Sequence, residues 1–588
     1  MFIYSQLRWA CLGVVLAGTG CGTTPTSQQA AATAVAPRPT GQAPKVPVAP
    51  LIQALLDTAA AGSARAADAR RGLQAGADVR AFYGPAGTPA WTTAPADSLT
   101  ANATAALALL ARAAEHGLRP ADYGATRLRG LRDSLGRPAP PDQRAGQLAR
   151  LDVYLSDAVL RFMRDLSRGR LRRYAASAPE KAAGPAGQPA VLLRAAVDAG
   201  GRQVPAAVRA GQPANREYRQ LQQALAQWLA RPAAPDSAAQ HQAEYEQAAL
   251  NLERWRWDPV PPAAEYALIN IPAFELQVVV RDSVRRRHRV VVGTPATPTP
   301  TLSSAIRSFT LAPDWHVPHS IATRELLPHL KRDADYLARN NYALYDERGQ
   351  PQNPQGINWA RVTSGTFAYT VRQSAGCENA LGNIVFRFAN PYSVYLHDTP
   401  LRQLFARPGR ALSHGCIRLD NPFALAAYLL RREGRPALLP SEEECARQPR
   451  PREVRLARPL PLYIRYATCT AVNGRLRCWP DVYHRDEAIR RELFGGGPKA
   501  AERERADRPK APRQADYRPG VGEGPPEPVP GNSAASGPRS TLPAMPAAYA
   551  HHLRRCPQTL RRGLPARDRR ANAGPLHRPC PQPPASGS

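Results

Sequence analysis

Residues 393–422, SVYLHDTPLRQLFARPGRALSHGCIRLDNP, constrain this chain most, because they arrange a strand end, a tight turn, a second strand and a helix start around one cysteine. Cys416 has His414 two residues before it and His397 nineteen before it. A thiol becomes a strong nucleophile when an imidazole takes its proton and a third group fixes that imidazole. The β-branched, aromatic and apolar residues of SVYLHD predict a strand whose end presents His397 and Asp398. Ser413-His414-Gly415-Cys416 reads as a tight turn, since Gly415 lets backbone approach closely. Such a turn can aim successive N–H groups at one point, as an oxyanion hole requires. Residues 417–419 then continue as a short strand, and Asn421-Pro422 supplies the cap and first residue of a helix over 423–432. Taken singly, Cys416 is better read as a small buried core residue beside two core histidines.

The 588 residues leave room for two or three domains, and 61 prolines with a net charge of +31 indicate a basic protein with much unstructured chain. Nucleic acid is not the expected partner: there is no zinc-finger, RNP-like or helix-turn-helix signature, and aromatics are few. Anionic wall polymers and membrane surfaces are equally good counter-charges. Residues 1–22 read as a signal peptide, with Arg8, an apolar run from Trp9 to Ala17 and GTG before Cys21. That run is too short to span a bilayer. Gly18-Thr19-Gly20-Cys21 resembles a loose lipoprotein cleavage box, so lipidation at Cys21 and plain cleavage with soluble export both stand. Residues 23–50 are expected to be a flexible linker.

Residues 51–232 read as a helical domain, with helices predicted over 99–116, closed by Gly117, and over 152–166, where Leu155, Val159, Phe162 and Leu166 share a side. His116 is read as a helix C-terminal residue. Residues 175–213 suggest a long loop with a helix or two, and 233–250 a linker helix. From Asn251 the pattern turns to strands: NLERWRWDP, YALINI, FELQVVV and HRVVVG. The arginines of VRRRHR fit a solvated hairpin tip, residues 322–338 a helix, and residues 442–452 a charged loop. Asn473-Gly474 is a type I′ hairpin signal, and counting outward pairs Cys469 with Cys478. That pair is non-hydrogen-bonded, with Cα atoms about 4.5 Å apart. This is within reach of a Cys469–Cys478 disulfide in an oxidising compartment; two facing free cysteines is the rival reading. Residues 495–588 are expected to be a disordered basic, Pro-rich tail. No metal site or cofactor is expected, for there is no CxxC and His551-His552 lie in the tail.

The run H-x15-S-H-G-C-x-R from His397 to Arg418 resembles the signature of YkuD-type L,D-transpeptidases. GTPATPTP, PDWHVPHSIA, VRQSAGCENALGNIVFRFAN and the final strands up to DVYHRDEAI resemble the large YcbB-like subfamily over residues 251–494. AFYGPAGTPAW, AAEHGLRPADY and DVYLSDAVLRFMRDLSRGRL resemble its amino-terminal scaffold domain. The fold implied is α+β and multidomain: a helical scaffold, then a mainly-β YkuD-like catalytic domain with a helical and loop capping subdomain at about 322–374. The small peptidoglycan-binding module that relatives often carry is not apparent between Arg231 and Leu250. His before Cys is the reverse of papain-like and NlpC-like hydrolases, and in sortases the two lie much farther apart.

The resemblance implies that Cys416 attacks the carbonyl between the third residue and terminal D-Ala of a peptidoglycan tetrapeptide stem. A thioester forms, and an amine of a neighbouring stem resolves it to a 3→3 cross-link. His397 would carry the proton, the backbone carbonyl of Asp398 would orient it, and the N–H groups of Gly415 and Cys416 would hold the oxyanion. His414 is an alternative base or a site-shaping residue, Ser413 orients the turn, and Arg418 pairs either a stem carboxylate or a structural partner. Trp315 and His316 are candidate groove residues or packing, and Cys377 a resolving thiol or an ordinary loop cysteine. An L,D-carboxypeptidase, a wall-attachment acyltransferase and a non-catalytic wall scaffold are the alternatives. Wall synthases as partners and a periplasmic or outer-envelope location accompany the leading reading.

Overall fold

Leu148, Leu151, Leu155, Val159, Phe162 and Leu166 recur every three or four residues, so one helix, Pro141–Arg168, can bury them all along a single core. This is a computed structural model, and it describes residues 46–495 except 60–62, 94–97, 172, 174–187, 201, 232–236, 262, 377, 437–438 and 448–449. The expected signal segment with Cys21, most of the expected linker, Cys377 and the basic tail lie outside the described residues. Around the long helix pack Val48–Leu56, Gly76–Tyr83, Ala101–Ala111, Ala125–Leu135, Gln188–Asp198 and Val204–Arg209. The first of these starts inside the expected flexible linker, because Val48, Ile52 and Leu56 fall on one face and bury together. The helix predicted over 99–116 forms as Ala101–Ala111 plus a 3-10 turn, Ala113–His116. Thr100 Oγ1 accepts from Ala103 N at 3.0 Å at its start, and Gly117 at φ 66° ends it.

Residues 251–257, expected as a strand, are instead the last turns of the helix Ala238–Trp257. The reason lies in what the polar residues touch. Asn251 Nδ2 donates to Thr468 Oγ1 at 2.9 Å, and Asn251 Oδ1 accepts from Thr468 N at 2.9 Å. Glu253 accepts from Leu171 N (2.8 Å) and Trp257 Nε1 (3.0 Å), while Arg256 donates to the His116 carbonyl and to Tyr218 Oη. A strand would put Asn251 and Glu253 on one face and Arg256 on the other, and leave buried polar groups unmatched. The helix thereby ties the N-terminal bundle to the C-terminal strands.

Those strands are β1 (Glu265–Asn270), β2 (Glu275–Val280), β3 (Ser283–Gly293), β4 (Leu302–Leu311), β5 (Ile384–Phe388), β6 (Leu396–His397), β7 (Ala411–Ser413), β8 (Ile417–Leu419) and β9 (Arg452–Arg465). They lie in the order β7-β3-β8-β6-β5-β4-β9-β1-β2, and β2 also pairs with β3, so the sheet closes on itself. Closure removes open edges and leaves an apolar interior. Val290, Val292, Phe309, Phe386, Leu396, Ile417 and Leu419 fill it, with Leu425 and Leu429 of the helix Pro422–Arg432. Pro422 begins that helix as expected, but Asn421 provides no side-chain cap and sits at φ 51°. The arginines 285–287 belong to β3 rather than to the hairpin tip, which falls at Arg281-Asp282, φ 47° and 65°. Residues 442–447, expected as loop, form a short helix, Glu442–Arg447.

The capping region contains more strand than the sequence suggested. Trp315–His316, Thr370–Gln373, Tyr342–Tyr345 and Pro351–Gln352 form a four-stranded sheet in that order. The helix predicted over 322–338 is broken into His319–Ile321, a π turn Ala322–Leu326, Leu327–Leu330 and Tyr336–Arg339. Pro328 lacks the N–H that would continue an uninterrupted ladder. The cap has its own core around Leu326, Leu330, Leu344, Trp359 and Val371. The hairpin Cys469–Val472 and Arg475–Cys478 turns at Asn473 (φ 51°) and Gly474 (φ 72°) with Cys469 opposite Cys478. Their sulfurs stand 3.5 Å apart as two thiols, without a disulfide bond.

Candidate active site

β6 and β8 are parallel neighbours in register, Leu396 beside Ile417 and His397 beside Arg418, and Ile417 N donates to the Tyr395 carbonyl at 3.0 Å. Alternation along each strand buries Leu396 and Ile417 in the barrel and turns Tyr395, His397, Cys416 and Arg418 to the other face. The rings of Tyr395 and His397 meet edge to face, with centroids 5.8 Å apart. The sequence-predicted pair is therefore gathered on adjacent strands, with Cys416 left partly open to solvent.

His397 is buried, and its Nδ1 lies 2.6 Å from the carbonyl oxygen of Asp398. An Nδ1–H donating there fixes the tautomer and leaves the Nε2 lone pair to accept a proton. Burial, reinforced by the charge of Arg418, lowers the His397 pKa to about 3, against hydrogen bonds to the main chain of Asp398 and Leu381. Burial likewise pushes the Cys416 thiol up, opposed by hydrogen bonds from Tyr395 and by the charge of Arg418. Both groups therefore rest uncharged near neutral pH, and among the described residues no hydrogen bond joins them directly. The carboxylate of Asp398 faces away, accepting from Asn383 N at 2.9 Å with Arg402 at 3.7 Å.

The turn before Cys416 is braced from beneath. Gly415 sits at φ 115°, a conformation that disfavours any side chain. Ser413 Oγ donates to the Cys416 carbonyl at 2.5 Å and accepts from Gly415 N at 3.2 Å. That contact engages one of the two N–H groups expected in an oxyanion hole. The Cys416 N–H has no protein acceptor among the described residues. Residues 293–299 support the turn: Thr299 Oγ1 donates to the Gly415 carbonyl (2.8 Å) and accepts from Gly293 N (2.9 Å), and Thr297 Oγ1 donates to the Ser413 carbonyl (3.2 Å). Gly293 has no room for a side chain, since a Cβ there would come within 2.1 Å of the Thr297 carbonyl.

Three contributors were not singled out from the sequence. Tyr395 hydrogen-bonds both Cys416 and Trp315, and burial raises its pKa. Glu325, on the π turn of the cap, meets His414 Nε2 at 2.6 Å. Thr299 supports Gly415 from 116 residues away. Tyr395 was discoverable, because it lies two residues before His397 on the same strand face; Glu325 and Thr299 carry no such local signal. Trp315 reaches the site through Tyr395, whereas His316 is exposed on the cap sheet. Among the described residues no three His, Cys, Asp or Glu gather as a metal site.

Comparison with known proteins follows the same division of the chain. Residues 264–438 match the family described as the L,D-transpeptidase catalytic domain, and residues 77–225 match the family described as the scaffold domain. A Haemophilus influenzae protein named "Putative L,D-transpeptidase" is 32% identical over 275 residues, which are 47% of this chain and 54% of that protein. The chain thus spans about half the length of that curated relative. Among solved structures, an L,D-transpeptidase from Mycobacterium smegmatis is 17% identical, with a TM-score of 0.18, over 34% of this chain and 59% of that one. L,D-transpeptidase 1 of Mycobacterium tuberculosis is 15% identical, with a TM-score of 0.14, over 34% and 61%.

Proposed function

We propose, for a chain that carries an L,D-transpeptidase catalytic domain behind a scaffold domain, cysteine acyl transfer on peptidoglycan stem peptides that ends in 3→3 cross-links. The observation that carries this reading is the shared strand face of Tyr395, His397, Cys416 and Arg418, with a neutral imidazole next to a partly open thiol. His397 takes the thiol proton as Cys416 Sγ attacks the carbonyl that precedes terminal D-Ala. The C–N bond breaks, His397 returns the proton to the leaving amine, and a thioester remains. A side-chain amine of a second stem, usually meso-diaminopimelate, then attacks the thioester and releases the thiol. The Cys416 N–H is the main-chain donor best placed for the developing oxyanion, because the Gly415 N–H is engaged by Ser413. Arg418 favours negative charge on this face and suits a stem carboxylate.

The export signal, a lipid tether at Cys21, a periplasmic or outer-envelope location and wall synthases as partners belong to the same proposal, as does oxidation of Cys469 and Cys478 to a disulfide there. Peptide mapping without reduction tests the disulfide, and two alkylatable thiols at those positions refute it. The central test incubates the purified protein with disaccharide-tetrapeptide and reads products by mass spectrometry, beside a Cys416→Ala control. A cross-linked dimer lacking one D-Ala is expected. Tripeptide alone would move the reading to an L,D-carboxypeptidase, in which water takes the thioester. No turnover and no adduct on Cys416, from folded protein, would leave a wall scaffold.

A further inference from the structure

A second candidate binding site lies at the junction of the helix Ala238–Trp257, the end of β9 and the helix Asp486–Phe494, in a cavity of about 230 Å³. Its lining includes three guanidinium groups, Arg254, Arg465 and Arg485, and three aromatic side chains, Trp255, Trp257 and Tyr466. The acidic residue on the lining is Asp258, and Arg465 takes its main-chain carbonyl at 3.1 Å.

The guanidinium donors here are incompletely paired. Arg254 Nη1 bonds Asp486 at 2.6 Å, but Arg254 Nη2 is buried with no hydrogen-bond partner among the described residues. Arg465 is held by carbonyls and a hydroxyl: Asp258, Leu302, Ile464 and Pro259 through their main chain, and Ser303 Oγ. Arg485 lies over the rings of Tyr466 and Tyr483, 5.1 and 5.3 Å from their centroids. Among the described residues neither Arg465 nor Arg485 has a carboxylate within ion-pair distance. The nearby Asp481 is occupied by Tyr466 Oη, Arg485 N and Asp486 N. Burying guanidinium groups is costly, and burial depresses both Arg465 and Arg485, opposed in part by the charge of Asp258 on the first and of Asp481 on the second.

We infer that this cavity binds a small carboxylate with an apolar, preferably planar, body. A carboxylate matches the guanidinium fork of Arg485, and the indole and phenol walls suit an aromatic or short aliphatic group. The volume is below the roughly 300–1,000 Å³ typical of larger ligands, which limits the occupant to about the size of an amino acid. The site does not use Cys416, so it stands apart from the acyl-transfer reading.

Ligand-observed NMR titration of the full chain with benzoate tests it, with benzyl alcohol as the neutral counterpart and inorganic phosphate as the bare anion. Saturable benzoate binding is expected, at least tenfold weaker in Arg485→Gln, and unchanged in Cys416→Ala. Arg485→Lys, which keeps the charge and loses the fork, is expected to fall between. Should Arg485→Gln lower the melting temperature by more than a few degrees, Arg485→Lys alone carries the comparison. Benzyl alcohol binding as tightly as benzoate overturns the charge argument, and phosphate binding as tightly overturns the apolar wall. Benzoate that fails to saturate, binds Arg485→Gln and Arg485→Lys as it binds the native chain, or is lost in Cys416→Ala overturns the site.

Discussion

Asp152 in the helical bundle and Cys416 in the barrel are both acidic groups whose protonated forms are favoured by burial, yet their surroundings are opposite. Asp152 accepts from Tyr83 Oη (2.7 Å), Ala90 N (2.7 Å), Trp91 N (3.1 Å) and Thr92 Oγ1 (2.9 Å), with both oxygens engaged in a sealed interior. Cys416 has the Tyr395 hydroxyl, the charge of Arg418 nearby, and an open side. Saturated hydrogen bonding fixes one geometry, because any change leaves several donors unmatched. An incompletely satisfied thiol keeps capacity for a further partner. The bundle therefore uses its buried acid to hold the loop of residues 83–92 on the long helix, and the barrel leaves its thiol partly open to solvent.

The strongest break in this comparison is a pair of alanine variants. Cys416→Ala should abolish turnover, by on the order of 10³-fold or more, and leave the unfolding midpoint in urea near the native value. Asp152→Ala should do the reverse, destabilising by about 3–5 kcal/mol through the donors it strands. Turnover per folded molecule should persist, and a loss equal to that of Cys416→Ala would collapse the distinction.

A smaller effect tests the thiol's environment. The Tyr395 hydroxyl holds the Cys416 pKa down against burial, so Tyr395→Phe should raise it further. The expected result is about a tenfold slower alkylation by iodoacetamide at neutral pH, with the rate profile moved to higher pH. An unchanged profile would remove Tyr395 from the site.

Acid should sharpen the contrast from another side. His397, lowered to about 3, and His116, lowered to about 4, are both buried and neutral, and burial is the leading cause for each. Below the ordinary value of 6.5 the unfolded chain takes up protons that the folded rings refuse. Their contribution is therefore complete above pH 6.5 and is lost as pH falls through 6.5 towards 4 and 3. Melting temperatures measured across that window should fall with acid, and His116→Gln should flatten part of the slope.

The smallest change concerns the cap. His414 and Glu325 are partly exposed, so their contact contributes less than about 1 kcal/mol. Glu325→Gln should leave stability nearly unchanged and alter kcat/KM for the tetrapeptide about two- to threefold. A change beyond tenfold would make this contact part of the chemical step.

Local chemistry was readable from the chain alone. The two-residue Asn473-Gly474 turn dictates its hairpin register, because loop length and the positive φ of both residues leave one pairing. The strand–turn–strand–helix run from Tyr395 to Arg432 was likewise apparent, since Gly415 and Pro422 mark its joints within a short stretch. The helix at residues 251–257 was not, because its polar residues are matched by Thr468 and His116, 217 and 140 positions away. The same holds for the support of Gly415 by Thr299, the contact of Glu325 with His414, and the gathering of three arginines at one cavity. Sequence by itself brought His397, Cys416 and the turn before the cysteine together, because their constraints act over few residues. Tertiary structure decided which groups brace that turn and which guanidinium donors are left unpaired, because those depend on strands and helices brought together by closure of the barrel and docking of the bundle.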